Sequence, residues 1–147
     1  MNMFNWLSIF AGTLAWVMVE SLLYNPVHAW GRFWAKESGM AEKMEKQKMS
    51  VSDMLFTFGG TILVGVFMAI GLSHAVKTAS AGIGSTFGVS PLVAALMMAF
   101  LNWLAFYGVG QFVLAAYSGQ SKKLIGLHLL NGLIGLLVLG LVIGLLG

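Results

Sequence analysis

The chain has 147 residues, of which 59% are hydrophobic and 9% are charged, and its formal net charge is +3. This composition, together with long apolar runs, predicts an integral membrane protein. Cysteine is absent, which excludes disulfides, thiol catalysis and cysteine-ligated metal or iron–sulfur sites. The basic residues lie beside the apolar runs, where they serve orientation in the membrane, so we expect no nucleic acid among the partners.

Four apolar runs follow one another along the chain. Each is long enough to cross a hydrocarbon layer about 30 Å thick, which needs roughly 20 helical residues. The first run exceeds the roughly 7–15 residues of a signal-peptide core and has no basic leading segment, so we expect it to be retained. We predict an all-α protein in a lipid bilayer, in which residues 1–147 form one bundle of four transmembrane helices, at about 4–27, 54–76, 89–118 and 122–146.

The connection at residues 28–52 is the only sizeable polar segment. Proline lacks an amide and disfavours helix in the residue before it, so Asn25-Pro26 predicts the end of the first span. Ser52-Asp53 offers an N-cap for the second span, and Pro91 suits the first turn of the third. Aromatic rings with basic neighbours suit the headgroup layer. We therefore assign to this interface Tyr24, Pro26, Trp30, Arg32 and Trp34.

Basic residues are concentrated in two of the three connections. Of the eight Lys and Arg residues, only Lys77 lies in the second connection. The first and third connections hold Arg32, Lys36, Lys43, Lys46, Lys48, Lys122 and Lys123. Short loops rich in Lys and Arg stay in the cytoplasm. We therefore predict that connections one and three are cytoplasmic, and that both termini and connection two lie outside.

Ionisable and amide side chains interrupt the apolar spans. A carboxylate such as Glu20 costs roughly 2.5–3.5 kcal/mol at the middle of a membrane helix, so it normally faces a partner or water. With a rise of about 1.5 Å per residue, all four helices bring polar side chains to one layer in the cytoplasmic half. We predict one polar cluster, made of Glu20, Thr57, Thr61, Gln111, His128 and Asn131.

This cluster has two interpretations. Its side chains either hydrogen-bond one another and hold the bundle together, or they line a path for a ligand, an ion or a proton. Burial disfavours a charged carboxylate, so Glu20 should be neutral and hydrogen-bonded, or paired with a protonated His128. In both cases Asn131 or Gln111 should lie within hydrogen-bond reach. Glu20 and His128 alone are too few ligands for a metal, and we expect neither a metal nor a cofactor.

Three further residues suggest helix packing beyond one bundle. Gly140 and Gly144 form a small-xxx-small pair, which lets two helix backbones approach closely. Asn102 and Gln111 are nine residues apart, hence about 180° around an α-helix, so Asn102 should face away from the cluster. An asparagine facing lipid is unfavourable, which predicts a homo-oligomer or docking to another membrane protein. The alternative is that a four-helix packing buries both faces within one subunit.

The stretch Glu20-Ser21-Leu22-Leu23-Tyr24-Asn25-Pro26, continued by Trp30-Gly31-Arg32-Phe33-Trp34, resembles a bacterial family known as domain of unknown function 1761. Its members are small four-span proteins with an aromatic–tyrosine–x–proline turn, followed by a glycine–basic–x–tryptophan segment. Leu23 stands where the family commonly has its aromatic residue. The resemblance implies a four-helix fold in a bacterial cytoplasmic (inner) membrane, and it implies no particular activity. The family positions are filled here by Tyr24, Pro26, Gly31, Arg32 and Trp34.

Two functional hypotheses follow. The protein is either an oligomeric transport- or channel-type protein for a small solute, ion or proton, with Glu20 and His128 as its titratable pair, or an accessory subunit that docks a larger membrane complex. An enzyme is the weakest hypothesis, since the sequence shows no nucleophile–base arrangement, phosphate loop or multi-histidine cluster. Water access to Glu20 distinguishes the first two hypotheses: a hydrated cavity favours transport, whereas dry packing favours the scaffold.

The distribution of basic residues predicts where a fused reporter will be active. Alkaline phosphatase, which works only outside the cytoplasm, should be active when attached after Gly147, because the positive-inside rule keeps connections one and three inside. Enzyme activity of the fusion measures this outcome. An inactive fusion, together with labelling near Lys46 from the outside, would contradict the orientation.

Overall fold

The computed structural model describes residues 5–46 and 50–147; the predicted start of the first span at residue 4, and Lys48, lie outside these ranges. The described part is helical, without strands. Its helices include four that are long and apolar enough to cross a membrane, at Trp6–Leu23, Val51–Gly82, Pro91–Tyr117 and Lys122–Leu146. The predicted all-α class and the four candidate spans are therefore confirmed.

Eight α-helices and two π-helical segments follow one another along the described chain. The first connection contains two short helices, and a π segment lies within the third span. In chain order the elements are α1 (Trp6–Leu23), α2 (Ala29–Glu37), α3 (Met40–Lys46), α4 (Val51–Ala79), π1 (Ser80–Gly84), α5 (Ser85–Phe87), α6 (Pro91–Asn102), π2 (Trp103–Gly108), α7 (Val109–Tyr117) and α8 (Lys122–Leu146).

The proline-marked helix ends agree with the sequence, whereas α4 begins and ends outside the predicted 54–76. Helix α1 ends at Leu23, just before the predicted proline turn, and Pro91 occupies the first turn of α6, as predicted. The predicted N-cap at Ser52-Asp53 is wrong, because Ser50 caps α4 and its hydroxyl accepts the amide of Asp53 at 3.1 Å. Ser50 also donates to the Asp53 carboxylate, since an acidic residue three positions after the cap can reach back to it.

Helices α1 and α8 run antiparallel and pack along their length. At one end, Asn5 donates a side-chain hydrogen bond to the carbonyl of Leu146. In the middle, the indole of Trp16, only 3% exposed, lies against Gly135, where an added Cβ would come within 2.6 Å of the ring. The glycine removes the side chain that would keep the two helices apart. The first residues of α1 and the last residues of α8 therefore lie at the same end of the bundle.

Helix α4 packs on the bundle through only part of its length. Trp16 also lies against Gly65 of α4, and Ala69, one turn further, is fully buried. From Val51 to Gly60, by contrast, every residue is exposed. Among the described residues, α4 comes close to α1, α6 and α8 but not to α2, α3 or α7. The first half of α4 therefore diverges from its neighbours.

The small-residue pair of α8 packs inside the subunit. An added Cβ on Gly140 would lie 2.8 Å from the Cβ of Ala99, and one on Gly144 would lie 2.8 Å from the Cβ of Ala95. The two alanines are also four residues apart on α6, so small residues face small residues and the backbones approach closely. The prediction that Gly140 and Gly144 form an oligomer surface is wrong, because α6 of the same chain covers them.

Asn102 also finds its partner within the chain. Its side-chain amide donates to the carbonyl of Met98, 2.7 Å away on the same helix. A continuous α-helix would place Asn102 opposite Gln111, but π2 lies between the two residues. A π segment inserts an extra residue into a turn, which changes the phase by about 100°. Neither Asn102 nor the glycine pair thus requires a second subunit.

Replacing Gly140 with leucine should destabilise the single chain. The new side chain would collide with Ala95 and Ala99, and overpacking of this kind typically costs about 1–3 kcal/mol. Gly71→Leu is the matched control, since nothing lies within 4 Å of an added Cβ at Gly71. Thermal unfolding in detergent should show a lower midpoint for G140L only. If G140L kept the midpoint of the wild type but lost a dimer that the wild type forms, Gly140 would belong to an oligomer interface instead.

Candidate functional site

Polar side chains gather near the end of the bundle that carries α2, α3 and the third connection, called the basic end below. Trp16 marks the contact between α1 and α8. About two turns further along α1, Tyr24 lies opposite His128 of α8. Midway, Glu20 of α1 is level with Asn131 of α8 in this antiparallel register. Predicted cluster residues from two helices therefore share one layer, called the polar layer below.

Two hydrogen bonds join α1 and α2 to α8 in the polar layer. The hydroxyl of Tyr24 and Nδ1 of His128 are 2.9 Å apart. The indole Nε1 of Trp30 donates to Oδ1 of Asn131 at 2.7 Å, and Asn131 is completely buried. Interhelical hydrogen bonds of this kind hold membrane helices together, because hydrocarbon offers no competing water.

Tyr107, in π2, covers the polar layer from a third direction. Its ring lies directly on the backbone of Gly132, where any side chain would collide with it. Sequence reasoning missed this residue, because a tyrosine in an apolar span looks like any other core residue. The one available signal was Gly132, a glycine beside an asparagine that had already been assigned to the cluster.

Segment π2 is held against α8 by a second aromatic residue. Nε1 of Trp103 donates to the carbonyl of Leu129 at 2.9 Å. A π segment exposes backbone and shifts the side chains that follow it, and such segments are frequent at functional sites. Here the segment places Trp103 and Tyr107 on the side of α8 that carries the polar layer.

Two buried polar atoms in the layer have no partner among the described residues: Oε1 of Glu20 and Nδ2 of Asn131. The expected pairing of Glu20 with His128, Asn131 or Gln111 is not formed, because α1 and α2 supply other partners to the α8 residues. An ionised carboxylate oxygen accepts hydrogen bonds and an amide nitrogen donates them. Leaving such groups unsatisfied costs about 1–3 kcal/mol each, so they mark a place where a bound molecule would gain hydrogen bonds.

The remaining predicted cluster residues are near this depth but form no described contact with the layer. In the α1–α4 register, Thr61 is level with Glu20. Its hydroxyl donates to the carbonyl of Thr57 at 2.8 Å, within α4, and Thr57 itself is exposed. Gln111 is half-buried in α7. The Thr61 hydroxyl is thus bonded within α4, and neither threonine has a described hydrogen bond to Glu20.

The turn between α1 and α2 is tightly folded. Oδ1 of Asn25 accepts the amide of Val27 at 2.9 Å, and Arg32 donates to the carbonyl of Val27 at 2.7 Å. Helix α2 then returns so closely that a Cβ on Gly31 would collide with the carbonyl of Asn25. This turn directs the beginning of α2 back toward the bundle instead of along the membrane surface.

The residues assigned to the headgroup layer therefore divide into two groups. Tyr24 and Trp30 reach into the polar layer through their hydrogen bonds to α8, and their place in the headgroup layer stays a prediction. Trp34 packs edge-on against Tyr24, with ring centroids 5.1 Å apart, and holds it in place. Arg32 is exposed and Pro26 is half-buried in the turn, away from the layer.

Helix α2 is also attached at its far end. Ser121 caps α8 by accepting the amide of Leu124 at 3.2 Å. The same hydroxyl donates to Oε2 of Glu37, the last residue of α2, at 3.0 Å. Together with the Trp30 bond to α8, this contact fixes α2 beside the start of α8, at the basic end of the polar layer.

The donor set of the polar layer suits a small molecule better than a metal. Within residues 5–46 and 50–147, no group of three or more His, Asp or Glu side chains is arranged to hold a metal ion. The layer offers one carboxylate, one amide, an imidazole bonded to a phenol, and several aromatic rings. These groups can bind a small molecule through charge and hydrogen bonds.

The four apolar helices and their exposed hydrophobic side chains define a multi-pass membrane protein in contact with the lipid bilayer. The family model described as "Protein of unknown function (DUF1761)" matches residues 7–144. The chain therefore belongs to this family, as the sequence of its first turn predicted. No curated protein and no solved structure matches the chain. The function has to be argued from the polar layer itself.

Replacing Gly31 with alanine should detach α2 from the bundle. The added methyl group would collide with the carbonyl of Asn25, and the resulting strain should cost about 1–3 kcal/mol. Gly126→Ala is the matched control, because nothing lies within 4 Å of its Cβ and alanine favours helix by about 1 kcal/mol. Thermal unfolding in detergent should give a lower midpoint for G31A and an equal or higher one for G126A. Equal midpoints for G31A and the wild type would contradict the turn geometry.

Proposed function

We propose that this protein is a transport-type membrane protein, and that its polar layer binds a small hydrogen-bonding solute, an ion or a proton on its way through the bundle. The observation that carries the proposal is the pair of unpartnered polar atoms, Oε1 of Glu20 and Nδ2 of Asn131. Two facing helices present them at one depth. A single molecule that both donates and accepts hydrogen bonds could satisfy both.

A purely structural role does not explain why two polar atoms are buried without hydrogen bonds, which costs free energy. Polar groups that only connect helices are normally paired, as Tyr24 is with His128 and Trp30 with Asn131. Glu20 has no such pairing at Oε1, although a carboxylate at this position costs roughly 2.5–3.5 kcal/mol to insert. Ionisable residues that are kept in spans at this cost commonly mark substrate, ion or proton pathways.

The divergence of α4 supports access to the polar layer. Glu20 is half-buried, as is Thr61, which is level with it on α4, and every residue of α4 before Thr61 is exposed. A path between α1 and α4 would lead to the carboxylate from the side. Helix α2 would close the direct route from the basic end, through the bond between Trp30 and Asn131.

We further propose that the protein lies in the bacterial cytoplasmic membrane, with the basic end in the cytoplasm and both termini outside. The lysines and arginines of connections one and three support this orientation. All side chains of the polar layer belong to one chain, so the transport proposal does not depend on an oligomer. Association with further copies, or with a larger membrane complex, stays a separate hypothesis.

Labelling of a cysteine at position 20 tests the proposal. The chain contains no cysteine, so Glu20→Cys introduces a single thiol. N-Ethylmaleimide reacts with the thiolate, and apolar burial without water suppresses the thiolate, so E20C should react at least about tenfold faster than a dry buried thiol. Ser73→Cys, at a position 2% exposed, provides the dry reference, and Ser52→Cys provides the exposed one.

The experiment is read in membranes, after confirming that each variant keeps the thermal midpoint of the wild type. Labelling of E20C at a rate near that of S52C supports a water-accessible site. Labelling as slow as that of S73C contradicts the transport proposal and favours the alternative, an accessory or scaffold subunit whose polar layer is dry.

A further inference from the structure

The polar layer contains a carboxylate without a cationic partner. Among the described residues, no hydrogen bond reaches Oε1 of Glu20. His128 is bonded to Tyr24, and the basic side chains of α2, Arg32 and Lys36, are exposed. An ionised carboxylate inside a membrane protein is normally balanced by an opposite charge. No described residue supplies that charge to Oε1 of Glu20, so a bound cation would complete the site.

Aromatic rings flank this carboxylate. Trp16 and Tyr24 lie one turn before and one turn after Glu20 on the same face of α1. Tyr107 approaches from π2, and its ring lies on the backbone of Gly132, the residue after Asn131. Aromatic faces attract ammonium groups, and the attraction is strongest when the cation has lost its water. Small divalent metal ions prefer about six oxygen ligands. The rings therefore favour an organic cation over a metal ion.

The approach to Glu20 is mostly apolar. The face of α4 that packs on Trp16 through Gly65 continues at Thr61, whose hydroxyl is bonded to a carbonyl of its own helix, and then at Phe58 and Met54. These two side chains are 49% and 45% exposed, because α4 diverges from α1 at this level. A ligand that passes between the two helices meets hydrophobic side chains before it meets the carboxylate, so it must itself carry apolar groups.

We infer that the ligand of the polar layer is a lipophilic organic cation, an ammonium or phosphonium ion with apolar substituents, whose charge pairs with Glu20. The cation enters between α1 and α4, and the rings of Tyr24 and Tyr107 contact its substituents. This inference rests on the proposed function and names its substrate class. It adds that the ligand is positively charged and carries apolar groups, neither of which transport alone requires.

Calorimetric titration of the purified full chain with tetraphenylphosphonium tests the inference. The wild type should bind the ion, and Glu20→Gln, which keeps the shape and removes the charge, should lower the affinity at least about tenfold, or 1.4 kcal/mol. Asp53→Asn is the matched control, because Asp53 is an exposed carboxylate at the start of α4. Its affinity should equal that of the wild type.

A second pair of variants tests whether the aromatic ring of Tyr107 contributes to binding. Tyr107→Leu removes the aromatic face and should weaken binding several-fold, whereas Tyr107→Phe keeps that face and should weaken binding less than Tyr107→Leu does. The anion tetraphenylborate has nearly the same shape as tetraphenylphosphonium and the opposite charge. The wild type should not bind it at the site, and this comparison needs no variant that could fail to fold.

Equal binding of tetraphenylborate and tetraphenylphosphonium by the wild type, or an unchanged affinity in E20Q, would overturn the inference, since binding would then depend on lipophilicity alone. Failure of the inference is distinguishable from failure of the proposed function. Rapid labelling of E20C without binding of the cation leaves transport in place and removes this substrate class. Slow labelling of E20C removes the transport proposal itself.

Discussion

The arrangement of the polar layer depends on the packing of one indole against two glycines. Added Cβ atoms on Gly135 of α8 and Gly65 of α4 would lie 2.6 and 2.9 Å from the Trp16 ring. Three helices are thereby held together at one depth. Lipid tails are as apolar as the side chains, so close van der Waals packing, rather than a hydrophobic force, drives this association. The register that places Glu20 opposite Asn131 follows from the same contact.

The residues that identify the family form one local structure next to this contact. Gly31 lets α2 return against the Asn25 carbonyl, and Trp34 packs on Tyr24. As a consequence, Tyr24 forms a hydrogen bond with His128, and Trp30 donates one to Asn131. The residues that match the family pattern therefore form one side of the polar layer. They leave two of its buried polar atoms, Oε1 of Glu20 and Nδ2 of Asn131, without hydrogen bonds.

The bundle is closely packed at the end that holds the termini and more open at the basic end. Small residues on α6 and α8 face each other in the first half, around Gly140 and Gly144. In the second half, π2 inserts aromatic rings and α4 departs from α1. The polar layer lies at the boundary of these two halves. A site at such a boundary combines rigid positioning by the packed half with a route of entry through the open half.

The sequence by itself determined the four spans, the proline turn and the face shared by Trp16, Glu20 and Tyr24, because lipid requires continuous helices and helical spacing sets which residues share a face. Only the tertiary structure decided what these residues contact. A glycine pair such as Gly140 and Gly144 looks the same in sequence whether its partner helix belongs to the same chain or to another. The π2 segment and the divergence of α4 result from packing between distant residues, which helical periodicity does not encode. For that reason the common level of Glu20 and Asn131 could be predicted, whereas the contributions of Trp30 and Tyr107, and the exposure of Thr57, could not.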